Sequence, residues 1–387
     1  MFPRLLKPQK SQSFFLLGPR GTGKTSWIKQ NFKEAKVFDL LNSENYQTFL
    51  ASPARLETQL EKHDPKRWVV LDEIQRVPEL LNEVHRLIEE KQYRFVLTGS
   101  SARKLRRQGV NLLAGRALTT WMFPLVCEEL GSAFNLKRSL QYGHLPLAIT
   151  SENPSSFLKS YIMTYLREEV QQEGLVRNLG SFARFLEAAS FSQAQMLNIS
   201  NVARDCQVER KVVEDYFSVL EDLHIAFRLP VFSRKAKRKL IKQQKFFYFD
   251  CGVYQAIRPK GPLDSANEIT GTALETLVVQ EIRAYNSYKE LGYELYFWHT
   301  SDHKLEVDLV CYGKCGLKAF EIKSSSRVRK EDLFSLREFL KDYPMANAYF
   351  LYGGNRSYEE YGIKILPVSE TLPKLAELLG TEPVFVN

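Results

Sequence analysis

Short apolar runs alternate with amphipathic stretches along the first 150 residues. The apolar runs predict β-strands, which we place at Phe14–Leu17, Lys36–Leu40, Trp68–Leu71, Arg94–Thr98 and Leu118–Phe123. Between the runs, apolar positions at helical spacing predict helices at Thr25–Phe32, Pro53–Lys62, Pro78–Lys91 and Ala102–Leu113. Because strands that alternate with helices pair in parallel, we expect an α/β fold with a parallel sheet covered on both faces.

The pattern changes twice further along the chain. Residues 155–230 show mainly helical periodicity, followed by a basic stretch and the strand-like Phe246–Phe249. From about residue 261 the α/β pattern returns, with helices predicted at Gly271–Lys289 and Lys330–Leu340 and strands at Glu294–His299, Leu305–Cys311, Leu317–Lys323 and Ala348–Leu351. We therefore predict three domains at 1–150, 151–260 and 261–387, with a linker at Ser151–Pro154.

Composition limits the class of protein. The 387 residues are 44% hydrophobic and 26% charged, which is ordinary for a globular protein. The chain has neither a signal peptide nor an apolar run long enough for a membrane-spanning helix, so we expect no membrane partner. The five cysteines form no disulfide framework, which favours a reducing compartment and a cytoplasmic location. Cys311 and Cys315 have no Cys or His partners at zinc spacing, so we expect no zinc site there. The formal charge of +9 suits a polyanionic partner.

A glycine-rich loop follows the first predicted strand and carries the spacing G-x4-G-K-T. Glycines allow the backbone to curl so that its N–H groups surround phosphate oxygens, and the N-terminus of the next helix attracts the same anion. The spacing predicts a nucleotide site in which Lys24 reaches the β- and γ-phosphates and the Thr25 hydroxyl ligates Mg²⁺. The loop consists of Gly18, Pro19, Arg20, Gly21, Thr22, Gly23, Lys24 and Thr25.

Two acidic residues follow the third predicted strand. Asp72 and Glu73 stand at the carboxyl end of the apolar run Trp68–Leu71, which is the edge of a parallel sheet where ligands bind. We expect Asp72 to hold Mg²⁺ and Glu73 to act as the base that orients the attacking water. The ligands expected at this end of the sequence are therefore ATP and Mg²⁺.

Further polar residues lie close to this edge. The strand Arg94–Thr98 ends in Thr98-Gly99-Ser100-Ser101, so Thr98 or Ser100 can either touch the γ-phosphate or cap a turn. Arg116 stands just before the last strand, where an arginine in oligomeric ATPases stabilises charge at a neighbour's γ-phosphate. The sequence leaves open whether Arg116 does so in a homo-oligomer or lies on the surface. The intervening Arg103, Lys104, Arg106 and Arg107 indicate a solvated or nucleic-acid-facing cluster.

Six motifs are distributed over nearly the whole chain. They are the loop Gly18–Thr25, LDEIQRVPELL at Leu71–Leu81, LTGSSARKL at Leu97–Leu105, LAGRA at Leu113–Ala117, FYFDCGVYQAI at Phe247–Ile257, and EVDLV…FEIKSS within Glu306–Ser325. Together they resemble a known family, the prokaryotic AAA-type (AAA_14) ATPases with a C-terminal DUF4143 region. The resemblance implies an AAA-like P-loop core, a winged-helix middle domain and a C-terminal domain similar to restriction-endonuclease-type PD-(D/E)xK nucleases.

The middle section also supports a winged helix from its own residues. Leu197–Val208 reads as a helix and turn, and Glu209–Leu223 as a second helix with one apolar stripe. Acidic residues on the second helix argue against reading of DNA bases by it. The following stretch is a basic wing suited to DNA phosphates, with seven cations in twelve residues: Arg234, Lys235, Lys237, Arg238, Lys239, Lys242 and Lys245.

Carboxylates recur on two of the C-terminal strands. Alternation along Leu305–Val310 puts Glu306, Asp308 and Val310 on one face, and Glu321 and Lys323 share a face of the next strand. If these strands form a hairpin, Asp308 and Glu321 converge as ligands of one metal, while Lys323 steadies a water or the developing phosphorane. Glu275, on the preceding helix, is a further candidate ligand or base.

The sequence leaves the overall function with three interpretations. The first is Mg²⁺-dependent ATP hydrolysis coupled to DNA binding, with DNA cleavage by the C-terminal cluster. The second is a signalling or regulatory ATPase whose nuclease-like domain is inactive and makes protein or DNA contacts. The third is a nucleotide-dependent regulator that binds DNA through its winged helix and cuts nothing.

Overall fold

The fold was analysed in a computed structural model of the chain. The structure describes all residues except 1, 102–112, 167–169, 171–175, 177, 234–243, 263, 301, 303 and 381–387, and it omits the side chains of 114, 165, 166 and 266. None of the helices in the described part is both long and apolar enough to cross a membrane. Contacts between Cα atoms divide the chain into two compact units, Arg4–Pro124 with Val219–Ile225, and Met1–Pro3 with Leu125–Ser218 and Ala226–Asn387. The division into three predicted domains stays a prediction.

The smaller unit is built on a five-stranded sheet in which every pairing is parallel. The strands follow the order β2-β3-β4-β1-β5, so β4 lies between β1 and β3. The predicted α/β parallel sheet is therefore confirmed. Its strands are β1 (Ser13–Leu17), β2 (Lys36–Asp39), β3 (Trp68–Asp72), β4 (Arg94–Gly99) and β5 (Ala117–Trp121).

Helices cover this sheet because their apolar faces match its buried strands. They are α1 (Lys24–Asn31), α2 (Ser43–Ala51), α3 (Arg55–Leu60) and α4 (Leu80–Lys91), with 3₁₀ turns at Ile74–Arg76 and Leu113–Gly115. Leu80, Leu81, Val84 and Leu87 repeat at helical spacing and are fully buried in one core cluster with β3 and β4. The predicted helix Pro53–Lys62 is shorter than expected, and α2, which Asn42 caps through Glu44 N and Asn45 N, was not predicted. The predicted helix Ala102–Leu113 falls almost wholly outside the described residues.

The larger unit begins with short helices. They are α5 (Cys127–Leu130), α6 (Leu136–Tyr142), α7 (Pro146–Thr150) and α8 (Pro154–Ser160), with a 3₁₀ turn at Gly131–Ala133 and a π-helix at Tyr161–Leu166. The predicted linker Ser151–Pro154 joins α7 to α8 and is closed by the Asn153 side chain, which accepts a hydrogen bond from Ser156 N. This segment is thus a capped turn between two helices of the same unit.

A second arrangement of helices and strands follows in the order helix, strand, helix, helix, strand, strand. Its elements are α9 (Leu179–Ser190), β6 (Gln195–Met196), α10 (Ile199–Cys206), α11 (Arg210–Asp222), β7 (Ala226–Pro230) and β8 (Gln244–Tyr248). The three strands pair antiparallel in the order β6-β8-β7. Phe217 on α11 packs edge-on against Phe185 of α9 and Phe246 of β8, with ring centroids 4.8 and 5.1 Å apart. The predicted winged helix-turn-helix has helices and strands in a similar order and stays a prediction.

The C-terminal part forms a six-stranded mixed sheet in the order β13-β14-β12-β11-β10-β9. Its strands are β9 (Glu294–His299), β10 (Glu306–Gly313), β11 (Gly316–Lys323), β12 (Asn347–Tyr352), β13 (Tyr358–Glu360) and β14 (Ile363–Pro367). Its helices are α12 (Cys251–Ile257), α13 (Ala266–Tyr288), α14 (Phe334–Asp342), α15 (Val368–Thr371) and α16 (Leu375–Leu379), with 3₁₀ turns at Lys330–Leu333 and Leu372–Lys374.

The predicted hairpin is present, but strict alternation along its first strand is wrong. β10 and β11 pair antiparallel around the turn at Gly313 and Gly316. The pairing of β10 with β9 shifts between Val307 and Val310, and these two valines join the same core cluster although they stand three positions apart. The irregularity adds a residue to one strand, so Val310 does not share the face of Asp308 as the simple alternation predicted.

Candidate functional site

The glycine-rich loop curls tightly between β1 and α1. Gly18, Gly21 and Gly23 have φ values of 151°, 82° and 98°, in the region that favours glycine. A Cβ atom on Gly18 would lie 2.2 Å from the carbonyl oxygen of Met122, so no other residue fits there without moving the backbone. The sequence thus places glycines where both the left-handed backbone and the close approach need them.

The loop is held by hydrogen bonds of its own and by one arginine. Arg4 donates to the carbonyl oxygens of Thr22 (3.0 Å) and Phe123 (2.7 Å), and the Thr22 hydroxyl donates to Pro19 O (2.9 Å). Lys24 is buried, and its Nζ donates to Gly18 O (2.7 Å) and Pro19 O (3.1 Å). The ammonium is therefore kept inside the loop that the sequence assigns to phosphate. Arg4 was not singled out from the sequence, because no motif marks it.

Asp72 lies at the centre of the predicted metal position. Its Oδ2 accepts a hydrogen bond from the Thr25 hydroxyl at 3.1 Å, and its Oδ1 accepts one from the Thr98 hydroxyl. Asp72 and Thr98 meet because β3 and β4 are neighbours, and Thr25 joins them from the first turn of α1, which follows β1 on the other side of β4. Thr98 is fully buried, and its hydroxyl is directed at Asp72. The structure accordingly brings together Thr25, Asp72 and Thr98, while their roles toward a metal ion and phosphate stay predictions.

Glu73 has an unusual backbone for the residue predicted as the base. Its φ of 63° lies in the left-handed region, which costs energy for a residue with a side chain. Its N–H donates to Thr98 Oγ1 (3.1 Å), and its Oε2 accepts from Gln75 Nε2 (2.5 Å). Gln75 Nε2 also lies 3.2 Å from Ser100 Oγ, so Ser100 belongs to this network rather than to a bare turn.

These residues fit a hydrated Mg²⁺ ion. Magnesium prefers oxygen ligands and is bound through one or two protein oxygens together with water and nucleotide phosphates. The Thr25 hydroxyl and the Asp72 carboxylate are within 3.1 Å of each other and provide such oxygens next to the loop. Thr25 and Asp72 therefore carry oxygen atoms of the kind that the sequence analysis expects to hold Mg²⁺.

The remaining predictions near this site have different outcomes. Arg116 forms an ion pair with Glu89 of the same chain and is about one-third exposed, so its action on a neighbouring subunit stays a prediction. Arg103, Lys104, Arg106 and Arg107 lie outside the described residues.

The predicted carboxylate cluster assembles in the C-terminal part. Asp308 and Glu321 stand on the neighbouring strands β10 and β11, just beyond the pair Leu309 and Phe320 at which their antiparallel pairing begins. Asp308 Oδ2 accepts a hydrogen bond from Ile322 N at 2.9 Å, and Lys323 Nζ lies 2.6 Å from Glu321 Oε1. Glu321 Oε2 is buried and has no hydrogen-bond partner in the described part of the chain.

A lysine from another element completes the cluster. Lys245 Nζ on β8 lies 2.6 Å from Glu306 Oε1, 2.9 Å from Glu275 Oε1 and 3.4 Å from Asp308 Oδ1. Its side chain is only 1% exposed. The prediction that Lys245 belongs to a DNA-facing wing is therefore wrong, because its ammonium is withdrawn from solvent and neutralises buried carboxylates. The other six cations of the wing lie outside the described residues.

Burial and neighbouring charges shift the pKa values of three side chains in this cluster. Burial, followed by the charge of Asp308, raises the pKa of Glu275 to about 8, although Lys245 acts in the opposite direction. The same two causes raise the pKa of Glu321 well above its usual range. Burial disfavours the ammonium of Lys323, but the surrounding carboxylates outweigh it and raise the pKa of that lysine. Glu275 and Glu321 thus hold their protons to unusually high pH, mainly because both are buried.

A second buried polar cluster was not predicted from the sequence. His144 is fully buried, with Nδ1 2.8 Å from Leu125 O and 3.1 Å from Glu281 Oε1, and Nε2 2.8 Å from Ser139 Oγ. Asp250 accepts hydrogen bonds from the backbone N–H groups of His144, Gly252 and Val253, and so caps α12. The FDCG motif at Phe249–Gly252 therefore serves as a structural joint.

The same cluster contains residue types that can bind a metal ion. Cys127, His144 and Glu281 offer one ligand atom each, all within 4.8 Å of one another, and all three residues are buried. However, the carboxylate of Glu281 already accepts from Cys127 N at 2.9 and 3.1 Å and contacts the His144 ring. The polar atoms of His144 and Glu281 have partners without a metal, so a stabilising hydrogen-bond network accounts for their burial.

Family comparisons divide the chain into three successive parts. Residues 10–131 match an AAA domain (AAA_14), residues 133–264 match a domain of unknown function (DUF8612), and residues 270–371 match a domain of unknown function (DUF4143). The expected combination of an AAA-type ATPase domain with a C-terminal DUF4143 region is confirmed. The nuclease-like character of the C-terminal part stays a prediction.

Individual relatives are distant. The uncharacterized protein MJ1544 of Methanocaldococcus jannaschii is 25% identical over 275 residues, which cover 62% of this chain and 60% of that protein's length. Aeropyrum pernix Orc1 in complex with DNA has a TM-score of 0.29 at 13% identity, covering 64% of this chain and 87% of its own. The Thermotoga maritima RuvB Holliday junction branch migration motor has a TM-score of 0.30 at 14% identity, covering 59% and 86%. Scores of this size carry no argument about what this chain binds.

The buried histidine makes stability depend on pH. Burial disfavours the imidazolium, but the hydrogen bond and charge of Glu281 outweigh it and raise the pKa of His144 above its ordinary 6.5. The folded chain therefore keeps this proton to a higher pH than the unfolded chain. The stabilisation that it contributes is complete below pH 6.5 and is lost as the pH rises through the folded-state value.

We expect the free energy of unfolding to fall as the pH rises above 6.5, and His144→Gln to remove part of that fall. Urea denaturation of both proteins across this pH range measures the effect. His85→Gln, in the smaller unit, is the matched control and should retain the wild-type dependence. An equal slope for wild type and His144→Gln would show that His144 does not carry a proton in the fold.

Proposed function

We propose that this chain, whose first third is an AAA-type ATPase domain, hydrolyses ATP with Mg²⁺ and couples hydrolysis to DNA bound by its middle section. The observation that carries the proposal is the meeting of Thr25, Asp72 and Thr98 beside the glycine-rich loop. Each of these side chains has a part in hydrolysis at the position where it lies.

The chemistry follows from these positions. Lys24 binds the β- and γ-phosphates when they displace its contacts with Gly18 O and Pro19 O. Thr25 and Asp72 would hold Mg²⁺, which would supply positive charge to the phosphate oxygens. Thr98 fixes the orientation of the Asp72 carboxylate through its hydrogen bond. Glu73 accepts the proton of the attacking water, and Gln75 positions its carboxylate.

The first test removes the base and leaves the binding site intact. Glu73→Gln should still bind ATP but hydrolyse it about 10²- to 10⁴-fold more slowly, the range for loss of a general base. Lys24→Ala should instead lose tight ATP binding. Phosphate release and calorimetric titration with ATP separate the two effects, and Glu79→Gln, an exposed residue nearby, is the matched control. Normal hydrolysis by Glu73→Gln would exclude its role as base.

DNA binding is assigned to the basic segment between β7 and β8. Six of the ten residues at 234–243 are Lys or Arg and none is acidic, and a winged helix presents its wing in this place. On α11, Arg210 is paired with Glu214 of the same helix at 3.0 Å, which leaves less positive charge there for DNA. We therefore propose contacts to phosphates by the wing and no reading of base sequence by α11.

The second test is the salt dependence of DNA binding. Lys235, Lys237 and Lys239 replaced together by Ala should flatten the plot of log affinity against log salt by up to about 0.9 for each lost phosphate contact with duplex DNA. The matched control replaces the exposed Lys29, Lys62 and Lys374, which removes the same charge. Fluorescence anisotropy over a salt series measures both slopes. The same change of slope in both triple variants would mean that net charge, not the wing, attracts DNA.

A second candidate function is metal-dependent cleavage of DNA by the C-terminal cluster. It is supported by the convergence of Glu275, Asp308, Glu321 and Lys323, which combines acidic ligands with a lysine beside them. A shallow groove lined by Arg327 and Arg356 begins beside Tyr352, the strand neighbour of Lys323, and its charge suits a phosphate backbone. If the cluster does not cut, the nuclease-like fold makes protein or DNA contacts instead.

The third test asks whether any cleavage depends on this cluster. Asp308→Asn or Lys323→Ala should abolish Mg²⁺- or Mn²⁺-dependent nicking of supercoiled plasmid, because each removes a ligand or the charge at the reacting phosphate. Lys341→Ala, which removes an exposed lysine of α14, should cut like the wild type. Nicking that persists in both cluster variants would exclude the site.

A further inference from the structure

The carboxylate cluster contains a cation supplied by the chain itself. An ammonium has three N–H donors, and Lys245 Nζ lies within 3.4 Å of three carboxylates, at 2.6, 2.9 and 3.4 Å. The lysine comes from β8, where it pairs with Met196 and Leu229, while its partners lie on α13 and β10. A single charged group thus gathers acids from two other elements, as a bound metal ion would.

The occupied oxygens show why a metal and Lys245 exclude each other. Asp308 Oδ1 faces Lys245, and Asp308 Oδ2 already accepts from Ile322 N. Asp308 therefore has no oxygen without a protein partner, whereas its strand neighbour Glu321 has one, the buried Oε2. A divalent ion ligated by Asp308 and Glu321 would have to take the place of the ammonium at Asp308.

The cluster offers the oxygen ligands that a divalent ion prefers. Lys245 Nζ now contacts one oxygen each of Glu306, Glu275 and Asp308, at 2.6, 2.9 and 3.4 Å. A divalent ion in the place of the ammonium would have these acids within reach, with Glu321 on the neighbouring strand as a further ligand.

We propose that Lys245 is an internal counter-ion that occupies the cation position of this cluster and competes with a divalent metal ion for it. The proposal that Lys245 occupies this cation position does not depend on the function of the domain. Its consequence, that Lys245 slows metal-dependent DNA cleavage by the wild-type chain, rests on the second proposed function.

The test measures Mn²⁺ binding to the full-length, nucleotide-free protein by electron paramagnetic resonance of the free ion. Lys245→Met should bind one Mn²⁺ at least about tenfold more tightly than the wild type, because a positive charge about 3 Å from the ligands is removed. Adding Asp308→Asn to Lys245→Met should abolish the gain, which assigns it to the cluster and not to Thr25 and Asp72. Lys341→Met is the control and should bind like the wild type.

A second variant covers the outcome that Lys245→Met does not fold. Lys245→Met with Glu275→Gln removes one charge of each sign, leaves Asp308 and Glu321 in place, and should also bind Mn²⁺ more tightly than the wild type. Mn²⁺ binding to the cluster of the wild type as tight as to the variants would overturn the proposal. The proposal would also be overturned by variants that are folded, as measured by circular dichroism, and that bind Mn²⁺ no more tightly than the wild type.

Plasmid nicking separates this proposal from the nuclease hypothesis. Gain of Mn²⁺ binding together with increased nicking by Lys245→Met supports both. Gain of binding with no nicking by either protein supports the internal counter-ion and contradicts cleavage. Nicking by the wild type that depends on Asp308, without any change of Mn²⁺ binding in Lys245→Met, supports cleavage and overturns the counter-ion.

Discussion

A charged group that is buried away from water must be paired with another polar group, and such pairs connect the middle of the chain to its C-terminal third. Lys245, on β8, forms ion pairs with Glu275, Glu306 and Asp308. His144 contacts Glu281, which lies more than a hundred residues later in the sequence. Removing one member of such a set leaves the other charges buried and unpaired, which typically costs about 3–5 kcal/mol. The residues on both sides of these contacts therefore fold as one compact unit.

The nucleotide site obeys the same constraint in a simpler way. Lys24 is buried and satisfies its ammonium on the carbonyl oxygens of its own loop, while Asp72 is satisfied by the hydroxyl groups of Thr25 and Thr98. None of these contacts needs a residue from the larger unit. The parallel strand order alone assembles them, because β4 lies between β1 and β3 and all three end at the same edge. The fold of the smaller unit by itself thus fixes the positions of Thr25, Asp72 and Thr98.

The sequence predicted best what is encoded locally. The loop Gly18–Thr25 and the acids at Asp72 and Glu73 follow apolar runs directly, so spacing along the chain determines their place in space. The hairpin that brings Asp308 to Glu321 was predicted for the same reason. Helix α2 was missed because its apolar pattern is weak and a cap at Asn42 defines its start. Val310 was assigned to the wrong face because a strand irregularity is invisible to strict alternation.

Lys245 shows what no local pattern can provide. In sequence it is the last of seven cations in a basic run, and its neighbours give no sign that it differs from the others. Only the pairing of β8 with β6 and β7 brings it to acids that are 30 to 63 residues away in sequence, and its side chain is then 1% exposed. The two oxygen-rich sites of the chain are therefore opposite in design. In the proposed functions, Thr25 and Asp72 receive an ion that arrives with the nucleotide, whereas a metal ion at the C-terminal cluster has to displace the ammonium of Lys245.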